Sequence, residues 1–347
     1  MSRLLVTGGA GFIGSNFVRR SLEKDPDLKI TVLDALTYAG NLANLSSVIS
    51  NIDFVQGDIT DSALVEKLVS KADIVVNFAA ESHNDNSLAD AKPFIQSNIT
   101  GVFELVSAAT KHSKRFHQIS TDEVYGDLPI DGSDKFTAKS PYNPSSPYSA
   151  SKASADMLVR AWHRSFGLRA TISNCSNNFG PNQHPEKLIP RTILLTEAGI
   201  RPKVYGDGRN VRDWIHVDDH SDGIWAVLDR GQIGETYLIG ARAERSNLQV
   251  VTEILRLMGK DQDFIEFVVD RPGHDLRYAI DPTKIEADLG WRTSPASFEE
   301  RLPKVIESYL GQNMDLTGIS GPGPSIYKDM TDSPINSYKA LVNREGT

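Results

Sequence analysis

Leu4-Leu5-Val6-Thr7-Gly8-Gly9-Ala10-Gly11-Phe12-Ile13-Gly14 reads as a short apolar strand that runs into a glycine turn, with an amphipathic helix following to about Lys24. The spacings Gly9-x-Gly11-x-x-Gly14 and Gly8-x-x-Gly11-x-x-Gly14 have a physical purpose. The early glycines permit a tight turn and let a pyrophosphate approach backbone N–H groups at the helix start, while the last lets helix and strand pack closely. A second strand over 30–33 ends at Asp34, 20 residues beyond Gly14, where a carboxylate can bind both hydroxyls of an adenosine ribose. The same carboxylate repels a 2′-phosphate, and Ala35-Leu36-Thr37-Tyr38 offers no cation to bind one. NAD is therefore expected rather than NADP.

Outward from this unit the rhythm repeats. A strand over 54–56 leads to Gly57-Asp58-Ile59, one over 74–78 leads to Ala79-Ala80-Glu81-Ser82-His83, and one over 116–119 leads to Ser120-Thr121-Asp122-Glu123-Val124-Tyr125-Gly126. Helical patterns over about 62–70 and 90–112 lie between them. Strands alternating with helices predict an α/β chain built on a Rossmann-type doubly wound parallel sheet, with ligands at the carboxyl ends of the strands. The polar tips just named all fall at those ends.

The chemistry is expected between Ser120 and Lys152. Ser145-Ser146-Pro147-Tyr148-Ser149-Ala150-Ser151-Lys152 reads as a helix start, with a serine cap and proline at the first helical position. Tyr148 and Lys152 are spaced to share one helix face. A phenol is a poor base at neutral pH, and an ammonium one turn away would favour the phenolate. Asp122 and Glu123 add a pair of carboxyl groups, which a closed site can split into one acid and one base.

Beyond this region a strand over 169–174 opens into the polar loop 176–184, and a helix over 188–198 follows. Lys203-Val204-Tyr205, the turn Gly206-Asp207-Gly208 and Val211-Arg212-Asp213-Trp214-Ile215 suggest a hairpin, with further helices over 218–228 and 249–258. Residues 1–174, with a return segment at about 214–240, are expected to form the NAD-binding domain. Residues 175–213 and 241–310 are expected to form a smaller α/β substrate-binding domain. The texture changes after Leu310, where Gly321-Pro322-Gly323-Pro324 and sparse apolar residues suggest that 311–347 is an extended or partly disordered arm. His216 and His220 flank Asp218 and Asp219, but they lack a third convergent ligand. A helix capped by aspartate is expected there, and no metal.

The 347 residues, 39% hydrophobic and 24% charged, suit one large or two unequal globular domains. A formal net charge of -8 argues against nucleic acid or an anionic membrane as the main partner. The single cysteine, Cys175, allows no internal disulfide, and a cytoplasmic location is expected. Leu4-Leu5-Val6 is too short, and too quickly broken by glycine, to be a signal peptide or a membrane span.

Taken together, Thr7–Gly14 and Tyr148-x-x-x-Lys152 resemble the extended short-chain dehydrogenase/reductase superfamily. Within it, Thr121-Asp122-Glu123-Val124-Tyr125-Gly126-Asp127 resembles the dTDP-glucose 4,6-dehydratase family, and the resemblance reaches to about residue 310. Matching runs include Leu36-Thr37-Tyr38-Ala39-Gly40-Asn41, Pro185-Glu186-Lys187-Leu188-Ile189-Pro190, Asn210-Val211-Arg212-Asp213-Trp214 and Arg271-Pro272-Gly273-His274-Asp275. The resemblance implies an NAD-dependent lyase that converts dTDP-glucose to dTDP-4-keto-6-deoxyglucose. The sugar is oxidised at C4, loses water across C5 and C6, and receives hydride at C6.

By that resemblance Tyr148 is the base at the 4-hydroxyl, with Thr121 bonded there and Lys152 holding the nicotinamide ribose. Glu123 abstracts the C5 proton and Asp122 protonates the departing 6-hydroxyl. The cofactor would be held by Gly8, Gly11, Phe12, Ile13, Gly14 and Asp34, and further by Asp58, Ile59, Ala79, Ala80, Ser82, Asn98, Asn178 and the Tyr148/Lys152 pair. The substrate would meet Ser82, His83, Thr121, Asn177, Lys187 and Leu188, and in the second domain Lys203, Tyr205, Arg212, Asn247, Arg271 and His274. Lys187 and Arg212 are assigned to the diphosphate, for which cations make chemical sense. A homodimer pairing through helices around 90–112 and 148–166 is implied as well.

The chain departs from the family in places. His83-Asn84-Asp85-Asn86-Ser87 stands where His-Val-Asp-Arg-Ser is usual, and Phe179 and Asn182 stand where tyrosines are common. Two rivals share the cofactor site. A 4-epimerase or UDP-glucuronate decarboxylase would use Tyr148 and Lys152, although an epimerase has no need of the acidic pair. A non-catalytic NAD-binding protein would bind the cofactor and turn over nothing.

Overall fold

The computed structural model describes residues 3–312 apart from Pro272, so most of the arm expected over 311–347 lies outside the described residues. The chain begins with β1 (Arg3–Thr7), α1 (Phe12–Lys24), β2 (Lys29–Asp34), β3 (Ile52–Gln56), α2 (Ser62–Lys71) and β4 (Ile74–Asn77). Next come α3 (Asn84–Ala89), α4 (Lys92–Ile95), a π-helical turn at Gln96–Gly101, α5 (Val102–Lys111), β5 (Arg115–Thr121), α6 (Pro147–Phe166) and β6 (Arg169–Cys175). The remainder runs β7 (Asn177–Phe179), α7 (Leu188–Glu197), β8 (Lys203–Tyr205), β9 (Val211–His216), α8 (Val217–Arg230), β10 (Thr236–Ile239), β11 (Glu244–Ser246), α9 (Asn247–Leu257), β12 (Glu266–Val268), α10 (Thr283–Leu289) and α11 (Phe298–Tyr309).

Seven strands form one sheet in the order β10-β6-β5-β4-β1-β2-β3, all parallel, with Val6 opposite both Val32 and Val76. Side chains alternate across a strand, so β1 feeds two cores. Leu4 and Val6 join Phe17, Val32 and Val227 on one face, while Leu5 joins Val75, Val106, Phe116 and Val159 on the other. Strands buried on both faces need this continuous apolar run. The order in which the chain adds strands reverses between β1 and β4, and a crevice opens there at the carboxyl ends of the strands.

Helix α6 shows how local sequence fixes a functional element. Ser146 caps it in a reciprocal box with Ser149, Pro147 opens it, and Gly167 ends it with a left-handed φ of 72°. Tyr148 and Lys152 therefore enter the core from its first turns, beside β5.

Four expectations need correction. The helix expected over 90–112 is broken: Pro93 sits in the first turn of α4, and the π-helical turn carries Gly101 to a close approach on Ile59, where an added Cβ would lie 2.4 Å from the Ile59 side chain. The expected hairpin is not formed. The turn at Gly206 and Gly208 is present, yet β8 pairs in parallel with β12, whereas β9 pairs with β7 and β11. Val204 and Trp214 are buried in different cores, and those partners outweigh local turn chemistry. Helix α8 is capped by the His216 side chain rather than by aspartate. Finally, Ile285, Leu289 and Trp291, assigned from the sequence to the second domain, pack with Ile224 and Ile239 in a core of the large sheet.

Candidate active site

A cavity of about 460 Å³ runs along the carboxyl ends of the parallel strands and into the second lobe. Its cofactor end is shaped by glycine. Gly8 has φ +68°, and an added Cβ would sit 2.5 Å from the Ala79 backbone nitrogen. At Gly14 it would sit 2.3 Å from the Gly8 carbonyl oxygen, so α1 approaches the turn after β1 too closely for any side chain there. Asp34 ends β2 against this wall, where Oδ2 accepts from the Ala10 N–H and Oδ1 from the Leu36 N–H, both at 2.8 Å. Gly11, Phe12, Ile13, Asp58, Ile59, Ala79, Ala80 and Ser82 line the same end. The glycine cradle and the terminal carboxylate fit a dinucleotide whose ribose carries no phosphate.

Asn98 does not line the cavity. It is buried behind it, bridging the Glu81 backbone through N–H···Oδ1 at 2.9 Å and Nδ2–H···O at 3.0 Å, while Nδ2 also donates to Ser151 Oγ at 2.8 Å. Its amide ties the β4 tip to α6.

β5 delivers the reactive groups. Its last residue, Thr121, caps a single helical turn over Asp122–Tyr125 by accepting from the Glu123 N–H at 3.2 Å. The Thr121 hydroxyl also donates to Asp122 Oδ1 at 3.3 Å. Asp122 is 1% exposed and its Oδ2 has no hydrogen-bond partner. Burial, with Glu123 and Asp213 nearby, pushes its carboxyl well above the usual range. Glu123 is half-buried on the cavity wall, and Asn84 Nδ2 donates to its Oε2 at 2.7 Å.

The expected lowering of the tyrosine by Lys152 is not what this geometry gives. Lys152 Nζ donates to the Ile119 carbonyl at 2.7 Å and is itself lowered by burial, partly offset by Asp156. The Tyr148 phenol is pushed well above its ordinary value, first by burial and then by the Glu123 carboxylate. Beneath them, buried Asp156 accepts from Ser120 Oγ at 2.7 Å and from the Tyr142 hydroxyl at 2.9 Å. The Cys175 thiol, likewise buried, is pushed up to about 12.

The second lobe closes the cavity with cations. Arg212 is 5% exposed, donates to the Val211 and Asp275 carbonyls at 2.7 and 2.9 Å, and lies over the Tyr278 ring at 4.2 Å. Lys187 Nζ reaches across the cleft to the Ser82 carbonyl at 2.9 Å. Arg271 pairs with Asp85 at 3.0 Å, and the Tyr205 hydroxyl donates to the other Asp85 oxygen at 3.1 Å. His83, Leu188, Lys203, Asn247 and His274 also line this end, and burial lowers His83 to about 3 and His274 to about 4. Asn177 Oδ1 is buried without a partner at the same wall. Asn178 spends its amide on the protein, donating to the Ser176 carbonyl at 3.0 Å and meeting His220 Nδ1 at 2.9 Å.

Lining residues that the sequence did not single out include Asn84, Asp85, Glu186 and Tyr278. Glu186 stands beside Lys187 and Tyr278 follows His274, but neither spacing carries a chemical signal. Two family departures have structural reasons. Phe179 packs against Phe298 with centroids 4.8 Å apart, and Asn182 has φ +68°, which asparagine tolerates better than tyrosine. Among the described residues, no cluster of His, Cys, Asp and Glu is placed to hold a metal.

Fold and site together define a Rossmann-type enzyme of the short-chain dehydrogenase/reductase kind, equipped with a tyrosine–lysine pair and two adjacent acids. Residues 5–305 match the GDP-mannose 4,6 dehydratase family, and the chain belongs to that family. It is 58% identical over 307 residues to the dTDP-glucose 4,6-dehydratase of Mycolicibacterium smegmatis, covering 88% of this chain and 93% of that protein. Among solved structures, DesIV, a dTDP-glucose 4,6-dehydratase from Streptomyces venezuelae solved with NAD bound, superposes with a TM-score of 0.85 at 46% identity, covering 88% of this chain and 96% of DesIV. UDP-glucose 4-epimerase from Thermotoga maritima superposes almost as well, at a TM-score of 0.82, but at 26% identity, over 88% of this chain and 98% of that one.

Proposed function

We infer that this chain is an NAD-dependent lyase that dehydrates dTDP-glucose to dTDP-4-keto-6-deoxyglucose. The observation that carries this reading is the pairing of buried Asp122 with half-buried Glu123 in the cavity that also holds Tyr148 and Lys152. When bound, NAD supplies the acceptor for hydride from C4 and its return at C6. The protein's own groups move the protons. Thr121 holds the sugar 4-hydroxyl, and Tyr148, whose phenolate the positive charge of bound NAD+ would favour against burial, takes its proton as C4 is oxidised. The resulting ketone acidifies C5, whose proton Glu123 abstracts. Asp122, kept protonated by burial, gives its proton to the 6-hydroxyl, which leaves as water. Glu123 then reprotonates C5. Gly8, Gly11, Gly14 and Asp34 would hold the dinucleotide, and Lys152 the nicotinamide ribose. Lys187 and Arg212 would receive the diphosphate as charge-assisted donors, with Arg271, Asn177, Asn247 and His274 completing the substrate end.

We propose a homodimer formed through α4, α5 and α6. Ile95, Phe103, Met157 and Phe166 are 52%, 42%, 57% and 62% exposed on these helices, an unusual apolar display for an isolated surface. The division into a cofactor domain and a substrate domain is proposed with one amendment, the return of α10 to the large sheet. A cytoplasmic location accords with a single buried cysteine. Among the described residues, no helix is long and apolar enough to cross a membrane.

The test is incubation of the purified protein with dTDP-glucose, without added NAD, followed by mass spectrometry and by ultraviolet absorbance in alkali. Loss of one water at catalytic turnover is expected, with the cofactor carried and recycled. Absence of water loss even with NAD added, or conversion to an epimer, would overturn the assignment.

A further inference from the structure

Asn84 stands where the family usually carries valine, and it touches two functional elements at once. It opens α3, whose cap is His83, with the His83 ring nitrogen accepting from the Asn86 N–H at 3.3 Å. Its Nδ2 donates to Glu123 Oε2 at 2.7 Å. Its Oδ1 accepts from Ser146 Oγ at 2.8 Å, and Ser146 is the cap of α6, two residues before Tyr148. The Glu123 carboxylate, which only accepts, fixes which way the amide faces, because a flipped amide would set its oxygen against that carboxylate, whereas the Ser146 hydroxyl can donate or accept. The NH₂ therefore faces Glu123 and the oxygen is left to accept from Ser146, and the hydrogen bond to the carboxylate is charge-assisted and orienting.

We propose that Asn84 is a positioning residue for the C5 proton transfer. Anchored by Ser146 at the α6 cap, it holds the Glu123 carboxylate in a fixed orientation for the C5 proton, while the group taking the 4-hydroxyl proton does not depend on it. The proposal rests on Glu123 being the C5 base. A valine at this position can pack against the same wall but offers neither donor nor acceptor, so this chain adds an orienting bond through a residue that resemblance alone would not count as functional. Displacement of a reacting group by about 1 Å can cost about a hundredfold in rate, so such an anchor acts on the chemical step rather than on binding.

Asn84→Val removes both bonds. Asn84→Asp keeps the shape and the bond from Ser146 but sets a second carboxylate against Glu123, so it serves if the valine variant folds poorly. For either variant the expected outcome is a kcat lowered about tenfold or more with KM for dTDP-glucose little changed. Rapid-mixing absorbance is expected to show reduced cofactor accumulating, because oxidation at C4 proceeds while elimination lags. In D₂O, incorporation of solvent deuterium at C5 is expected to slow in step with kcat. In the Glu123→Gln background, adding Asn84→Val is expected to cost nothing further.

Two results bear on different claims. If Glu123→Gln still eliminates water at the normal rate, the base assignment fails and the proposal falls with it. If Glu123→Gln blocks elimination but Asn84→Val and Asn84→Asp match the parent in kcat, cofactor absorbance and deuterium uptake, the base assignment stands and the proposal for Asn84 is overturned. An equal loss in both the C4 oxidation and elimination phases would also overturn it, since that is the signature of a general structural defect.

Discussion

Asp122 and Glu123 are neighbours in sequence and opposites in environment. A single helical turn after β5 sends one carboxyl into the core and leaves the other on the cavity wall. Asp122 thus pays a burial cost without a partner for Oδ2, and that cost is what makes it an acid at neutral pH. Its raised value means that the protonated form persists above the ordinary carboxylate range and is lost as pH rises through the raised value. Asp122→Asn is therefore expected to lower kcat by about 10²–10⁴ while nucleotide-sugar binding survives. Keeping this carboxyl protonated at neutral pH, where the unfolded chain would ionise it, also opposes folding, so the same variant is expected to melt at or above the parent temperature in calorimetry. A clear fall in melting temperature would mean that Asp122 is structural.

The elements that carry these residues are fixed by short-range chemistry. Helix α6 starts at one defined residue because Ser146, Pro147 and Ser149 make a full N-terminal cap. Ser146→Ala is expected to cost about 1 kcal/mol in denaturant unfolding, the usual effect of losing a serine cap. Because Ser146 also anchors Asn84, kcat is expected to fall more than this loss of stability alone would explain, which steady-state kinetics well below the melting temperature can check.

Two predictions belong to the whole molecule. His117 and His220 are fully buried, and burial lowers both to about 3. In the unfolded chain they return to an ordinary value near 6.5, so the unfolded state binds the extra protons between these limits. The stability they contribute is complete above about pH 6.5 and is lost as pH falls from there towards 3, by up to about 1.4 kcal/mol per pH unit for each histidine. Urea titrations at pH 7 and pH 5 are expected to show that slope, reduced in His220→Asn. The second prediction concerns the apolar face of α5 and α6, where Phe103 packs edge-on against Trp162 with centroids 5.8 Å apart. Charges placed there by Met157→Lys and Phe103→Glu are expected to convert the proposed dimer to monomer in analytical ultracentrifugation, and an unchanged sedimentation coefficient would remove this face as the interface.

The sequence by itself determined the parallel sheet, the glycine cradle with Asp34, and the cap that sets Tyr148 and Lys152 on one helix. Each of these is a short-range pattern: apolar runs at strand length, backbone positions only glycine can fill, and a cap within three residues of its partner. Where the pattern needed a distant partner, only the tertiary structure decided. The turn at Gly206–Gly208 is legible, yet its strands pair with β12 and with β7 and β11, because burial of Val204 and Trp214 in separate cores outweighs a local turn. Tyr148 and Lys152 are legible as a pair, but the directions in which their pKa values move follow from burial, from Glu123 and from Asp156, none of which spacing reveals. Asn84 is the plainest case. In sequence it is a substitution for valine, and it becomes a link between Glu123 and the α6 cap only because α3 folds back to place its amide between groups 39 and 62 residues further along the chain.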